Sequence, residues 1–390
     1  MIAVEIAQDR ELGRILGRRL GSAPGPTLIC IGSLHGNEPA GTVAFQRVFR
    51  KLEERDLELQ GELLGLLGNR AAYQADQRFM VSDLNRYWLP HRIQASIAGE
   101  LSESSVPEDL ELHELRQEIA AAFERRRGTI YFLDLHTTSG GGQPFAVMSD
   151  TLRNRSFAME FPVPVIVGLE EELEGTLSEY VGRLGAVTMG FEGGQHEELS
   201  SVDLCEAAIW IALETSGVLP AGSASEPDLG RRMLARICRE LPPVFEIRLR
   251  HPIVEGDGFQ MEPGFKSFQK IHRGELLARD RNGEYRAQEN GRILMPLYQK
   301  QGDDGYFEIR RFSPFWLGVS RALRKAGIDR IVHWLPGVER HPDSEEALLI
   351  NRRVARFYSL QIFHLLGFRR HRAVGEQLLM IRQQRDIPGE

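Results

Sequence analysis

His35 and Glu38 stand three residues apart in Ile29-Cys-Ile-Gly-Ser-Leu-His35-Gly-Asn-Glu38-Pro-Ala-Gly41, where an apolar run ends. A second such place lies downstream, in Tyr131-Phe-Leu-Asp134-Leu-His136-Thr-Thr-Ser139. Two imidazoles and one carboxylate make a three-ligand set that leaves a zinc ion one open position, the arrangement of catalytic rather than structural zinc. Singly, each residue has a plainer reading: His-x-x-Glu pairs arise by chance, and a strand-end histidine can be a satisfied core residue. Their joint occurrence, each after an apolar strand, favours His35, Glu38 and His136 as ligands.

Two further groups fit hydrolytic chemistry. In Arg78-Phe-Met-Val-Ser-Asp83-Leu-Asn85-Arg86, the Arg86 fork beside the Asn85 amide suits a substrate carboxylate, and Arg78 suits a developing oxyanion. The plain alternative is surface arginines, with Asp83 a structural partner. In Gly190-Phe-Glu192-Gly-Gly-Gln-His196, a carboxylate at the end of an apolar run can project into a cleft. There it can take a proton from metal-activated water and hand it to a leaving amine. A strand-end Glu192 facing solvent is the alternative, and His196 reads as an exposed loop histidine.

These side chains need a scaffold. Residues 1–225 alternate short apolar runs with amphipathic helical patterns, the habit of an α/β domain. Thr27–Gly32, Glu62–Gly68, Thr129–Leu135, Val163–Val167 and Ala186–Glu192 read as strands. Helices are expected after Pro39, over Leu110–Arg126 and over Ser201–Ser216. Pro-, Gly- and Ser-rich residues 219–228 look like a linker, followed by a short helix, Leu229–Glu240. Alternating runs near 244–250, 258–268, 276–279, 292–298 and 306–311 make residues 226–312 a β-rich unit. Residues 313–390 read as a helical extension. It carries 13 Lys/Arg against 8 Asp/Glu, leaving −12 on the rest of a chain whose net charge is −7. Its basic cluster Phe368-Arg-Arg-His-Arg372 reads as a solvated helix end.

Composition excludes several classes. A net charge of −7 argues against general nucleic-acid binding. No apolar run approaches the roughly 20 residues that span a bilayer, and the first residues do not form a secretory signal. Cys30, Cys205 and Cys238 are few, odd in number and scattered. They point to a reducing compartment, the cytoplasm, and Cys30 reads as strand filler.

The ordered set His35-x-x-Glu38, Arg78, Asp83-Leu-Asn85-Arg86, Asp134-Leu-His136 and Glu192-Gly-Gly resembles the succinylglutamate desuccinylase/aspartoacylase family, over about residues 25–312. That resemblance implies a zinc-carboxypeptidase-like fold, a mixed sheet flanked by helices, with a C-terminal β domain narrowing the active-site mouth. It implies one zinc on His35, Glu38 and His136, and Arg78 polarising the scissile carbonyl. It assigns Asn85 and Arg86 to a substrate carboxylate, Glu192 to general acid/base work, and Asp134 to orienting the ligands. It suggests Tyr306, then Tyr298, as the β-domain tyrosine facing the substrate. Arg183 lies where aspartoacylases carry a second carboxylate-binding arginine, although its spacing differs. The residues after His136 and Glu192 depart from the aspartoacylase pattern, which sets acetylaspartate apart from the expected substrate. The expectation is a zinc-dependent hydrolase cleaving the amide of a small N-acyl amino acid or related carboxylate-bearing amide, without nucleic-acid or membrane partners and compatible with a homo-oligomer. The alternatives are a zinc carboxypeptidase acting on peptides and a non-catalytic binding protein on the same fold.

Overall fold

The computed structural model describes residues 11–382, apart from 170–171, 255, 329–331, 343, 352–365, 367 and 375–376. The first strands are β1 (Ile15–Leu20), β2 (Ala23–Gly32), β3 (Gln60–Leu67), β4 (Ile130–Thr138), β5 (Phe145–Val147), β6 (Val165–Val167) and β7 (Val187–Gln195). Next come β8 (Val244–Pro252), β9 (Gln260–Met261), β10 (Lys270–Ile271), β11 (Leu276–Asp280), β12 (Gly283–Arg286), β13 (Gly291–Leu294) and β14 (Asp304–Arg311). Eleven of them form one mixed sheet in the order β1-β3-β2-β4-β7-β5-β6-β8-β14-β13-β10. At its centre β3, β2, β4 and β7 run parallel, so their C-terminal ends lie along one edge. Loops leaving such an edge are where open α/β sheets build sites.

β2 shows why the centre forms. Leu28 and Cys30 enter one core, with Val43 and Phe45 of α1 (Ala40–Glu54) and Trp210 of a later helix. Ile29 and Ile31 enter the other, with Leu112, Leu115 and Ile119 of α2 (Pro107–Arg125). A strand buried on both faces needs a continuous apolar run, which is how β2 reads. Cys30 is strand filler, 1% exposed. The helix carrying Trp210 is α3 (Leu199–Ser216). Beside it lies α4 (Glu226–Cys238), whose Leu234 and Cys238 join the same core. Gly230 allows that approach: a Cβ there would stand 3.1 Å from the Ala207 Cβ.

The β-rich unit continues the main sheet: β6 pairs in parallel with β8, and β8 pairs with β14. The expected run 258–268 supplies only the two-residue β9, because Pro263-Gly264 turns the chain, with Gly264 at φ +91°.

The extension departs from the helical expectation. Only α5 (Pro314–Lys325) is a full helix among its described residues. A four-stranded antiparallel sheet follows, with β15 (Val338–His341), β16 (Ser344–Asn351), β17 (Phe368–Val374) and β18 (Gln377–Arg382) in the order β15-β16-β18-β17. Leu348 and Ile350, like Leu378 and Met380, recur at every second residue and share one small core. That period belongs to a strand, not a helix. Phe368–Arg372 therefore lies in β17 rather than at a helix end. The extension is tied to the α/β unit by charge. Arg324 of α5 donates to the Asp150 carbonyl at 2.6 Å and to Asp150 Oδ2 at 3.0 Å. Arg155 bonds the other oxygen of Asp150 and donates to Ser320 Oγ at 3.1 Å.

Candidate metal centre and active site

The site sits beyond the C-terminal ends of β2, β4 and β7. After Gly32 the chain turns at Ser33, whose hydroxyl meets Thr42 Oγ1 at 2.8 Å, and α1 begins after Pro39. This tight bend carries His35 and Glu38 inward, 4% and 2% exposed. Between them, Gly36 passes so close to another loop that a Cβ would stand 2.1 Å from the Ala72 carbonyl carbon. No side chain fits there without moving the ligand loop. His136 lies on β4 directly opposite Glu192 on β7.

The donor atoms converge. His35 Nδ1 lies 2.9 Å from Glu38 Oε1, and His136 Nδ1 lies 3.1 Å from Glu38 Oε2. One ligand atom from each of the three residues lies within 4.8 Å of the others. Each imidazole presents its second nitrogen to another carboxylate. His35 Nε2 is 3.1 Å from Asp83 Oδ1, and His136 Nε2 is 3.0 Å from Asp134 Oδ1, although off the hydrogen-bond line. At His35 the Asp83 carboxylate holds the proton on the outer nitrogen and leaves the inner one free to ligate, the usual support for a metal-binding imidazole, while Asp134 lends His136 its charge. Two nitrogens and a carboxylate, buried and backed in this way, fit zinc. Thr137 N also donates to Glu38 Oε2 at 3.0 Å, fixing that carboxylate.

Arg78 braces the shell. Its Nη1 donates to Glu38 Oε1 and its Nη2 to Asp83 Oδ2, each at 3.1 Å, while its Nε is buried without a partner. Burial disfavours the charged forms here, and the neighbours outweigh it. Burial alone would raise Glu38, but the charge of His35 and hydrogen bonds from both histidines hold it well below the usual carboxylate range. Asp83 is likewise held well below by His35 and Arg78. Burial would lower His136, yet Asp134 and Glu38 lift it well above the usual imidazole value. Glu192 behaves differently. Burial pushes it up to about 8, and its Oε2 is buried without a partner. A carboxyl held up by burial beside residues that could hold a metal is equipped to trade protons.

Comparison with known proteins decides the family. Residues 24–210 match the succinylglutamate desuccinylase/aspartoacylase catalytic domain. That segment, just under half of the chain, carries this family's catalytic domain. It is 26% identical to a succinylglutamate desuccinylase from Ectopseudomonas mendocina over 295 residues, 70% of this chain and 79% of that protein. A succinylglutamate desuccinylase from Burkholderia thailandensis is 26% identical over 293 residues, 69% and 75% of the two chains. The fold is shared with the succinylglutamate desuccinylase/aspartoacylase of Rhodobacter sphaeroides, at TM-score 0.52 and 19% identity over 74% of this chain and 87% of that one. It is shared equally with the product-bound ectoine utilization protein EutE (DoeB) from Ruegeria pomeroyi, at TM-score 0.52 and 20% identity over the same shares.

Within this desuccinylase/aspartoacylase frame, the cleft is lined by His35, Glu38, Arg78, Arg86, His136 and Glu192 together. Four of the expected substrate-binding residues do not line it. Asn85 sits in the 3₁₀ turn Leu84–Arg86, and its Oδ1 accepts from Leu177 N at 3.1 Å. Successive side chains of such a turn diverge by about a third of a circle, so Arg86 and Asn85 point apart. Tyr306 is 2% exposed in the β-rich core, stacked on His251 at 5.1 Å. Its strand neighbour Phe307 faces the cleft instead, because successive residues of a strand face opposite sides. Tyr298 is absent from the cleft lining as well; its hydroxyl donates to the Glu262 carbonyl at 2.7 Å. Arg183 pairs with Glu179 on an exposed helix face, outside the cleft. Arg86 is held by Asp304 of the β-rich unit at 2.9 Å.

Other cleft residues carry no signal of their own in the sequence. His196 is a half-buried lining residue rather than an exposed one, between Thr137 Oγ1 at 2.7 Å and Gln299 Oε1 at 3.2 Å. Gln299 also accepts from Asn37 Nδ2 at 2.9 Å. Gln301 accepts from Arg78 N and donates to the Phe79 carbonyl, each at 3.2 Å. The strip Leu297–Asp303 is thus pinned across the cleft by two glutamines.

Proposed function

We propose that the protein is a zinc-dependent deacylase that hydrolyses the amide of a small N-acyl amino acid or a related carboxylate-bearing amide. The observation carrying this reading is the buried Glu192 carboxyl, its Oε2 without a partner, set in register with His136 of a His–Glu–His group that could hold a metal. Zinc on His35, Glu38 and His136 would supply Lewis acidity and lower the pKa of a water molecule toward neutrality. Glu192 accepts the proton of the attacking water as its oxygen bonds to the carbonyl carbon. Glu192 then returns that proton to the nitrogen as the carbon–nitrogen bond breaks. Arg78, fixed by Glu38 and Asp83, offers its unpartnered Nε to the carbonyl oxygen as negative charge gathers there. Arg86, steadied by Asp304, has a buried Nε without a partner and would hold a substrate carboxylate.

The test is Glu192→Gln, which keeps size and shape and removes the proton acceptor. The variant should keep zinc and lose at least about 100-fold in kcat on N-acyl amino acids. Full turnover in the zinc-loaded variant would remove Glu192 from the mechanism.

A further inference from the structure

The metal cleft is too small for the substrate class just proposed. Its cavity is about 60 Å³. A buried water needs roughly 10–15 Å³ by this kind of measure, so the cleft has room for a handful of waters. Beside it lies a groove of about 1120 Å³ between residues 79–83 of the α/β unit and two segments of the β-rich unit. Ligand pockets for small organic molecules span roughly 300–1,000 Å³ and favour seams between structural units. The groove has the room and lies on such a seam, whereas the cleft alone lacks the room.

Cleft and groove are neighbours. Leu297, Gln299, Gly302 and Asp303 line both. Asp83, which bonds ligand His35 and Arg78, lines the groove. The strip between the two spaces is held to the α/β unit by the Gln299 and Gln301 side chains, and by Tyr298 N on Ser139 Oγ at 3.1 Å. The groove's lining mixes apolar side chains, Phe79 and Val81 on one side and Ile253, Val254, Phe259 and Met261 on the other, with polar ones such as Ser82, Asp83, Gln260 and Lys300. Val81 and Val254 are 62% and 64% exposed, an unusual use of apolar residues on the rim of a cleft. Exposed apolar residues gathered beside a site, rather than scattered singly, mark a surface that a ligand covers.

We propose that this groove is a substrate subsite for an apolar group on one side of the scissile amide, larger than acetyl or succinyl. The inference rests on the deacylase reading above. The shared chemistry is a hydrocarbon or aromatic group of several carbons, carried either as the acyl chain or as the amino-acid side chain. Each methylene buried is worth about fourfold in affinity.

Two substrate series read the two ends. One runs from N-acetyl- to N-butyryl- to N-octanoyl-glutamate; the other from N-acetyl-alanine to N-acetyl-leucine to N-acetyl-phenylalanine. Zinc-loaded wild type and the rim variants Val81→Asp and Val254→Asp are compared by kcat/KM. Binding of the same compounds to zinc-loaded Glu192→Gln, with and without the rim changes, is measured by calorimetry. In one series, affinity and kcat/KM should rise at least about tenfold from the smallest to the largest group. The rim variants should abolish that rise while leaving the smallest substrate within about twofold. A rise in the first series places the acyl chain in the groove; a rise in the second places the side chain there. Flat or falling trends in both series, or a rise untouched by both rim variants, would overturn the subsite. If no amide is cleaved, the deacylase reading fails, and calorimetry still decides the groove: binding that does not strengthen with apolar size refutes it.

Discussion

Asp83→Asn separates a supporting carboxylate from a merely structural one. Asp83 is 4% exposed as a side chain, with one oxygen 3.1 Å from His35 Nε2 and the other 3.1 Å from Arg78 Nη2. The first oxygen also accepts from Asn85 N at 2.8 Å. Asparagine keeps the shape and one acceptor but removes the charge. A hydrogen bond to a charged group is worth about 1.5–3 kcal/mol and a neutral one about 0.5–1.5, so the loss at His35 is about 1–1.5 kcal/mol. That equals roughly a tenfold weaker zinc affinity, the lower end of the 10–100-fold that outer partners of metal ligands contribute. The amide nitrogen also meets the Arg78 guanidinium, donor against donor, so kcat should fall as well. The assay is zinc affinity by competition with a chromogenic chelator, with kcat on the same samples and Asp134→Asn as the matching change behind His136. Wild-type zinc affinity and kcat in folded Asp83→Asn would refute the claim that this carboxylate orients the ligand and the cation.

Protonation gives a second prediction. In the metal-free protein Glu192 sits at about 8 and His136 is held well above its usual value, so both carry protons at pH 7. A cation bound by His136 beside Glu192 drives those protons off, so zinc binding at pH 7 should release protons and tighten as pH rises toward about 8. Calorimetry in buffers of different ionisation enthalpy reads the number released; Glu192→Gln should release fewer, and zero release contradicts the protonation states. A third concerns the extension. The Arg324 and Asp150 side chains are 2% and 3% exposed, and because Arg155 still pairs with Asp150, removing Arg324 costs what a hydrogen bond to a charged group is worth, about 1.5–3 kcal/mol. Arg324→Ala should therefore lower the denaturation midpoint and expose the extension to protease, and an unchanged midpoint would show that the pair does not hold it.

Much of the site was legible because local sequence builds it. β2 reads as a strand from its unbroken apolar run, and the turn beyond it must place His35 and Glu38 near the sheet edge. His136 and Glu192 end apolar runs that become neighbouring parallel strands, so their convergence follows from topology. Contacts between distant segments were not legible. Asp83 reaches His35 across 48 residues, and Gln299 reaches Asn37 across 262. Tyr306 fails as a site residue by a single step of strand register, since Phe307 takes the cleft face and a one-residue slip exchanges the two faces. Asn85 fails through the divergence of side chains in a tight turn. The extension was misread because its apolar residues lie close enough to satisfy a helical period, while Leu348 and Ile350 follow the period of two.

The central claim is that one metal ion, held by His35, Glu38 and His136, turns this cleft into a hydrolase. The direct measurement is hydrolysis of an N-acyl amino acid by metal-free protein as zinc is added stepwise. Activity should rise in proportion to zinc and break at one equivalent per chain. Activity that is present without zinc, or that shows no break at one equivalent, would contradict the account.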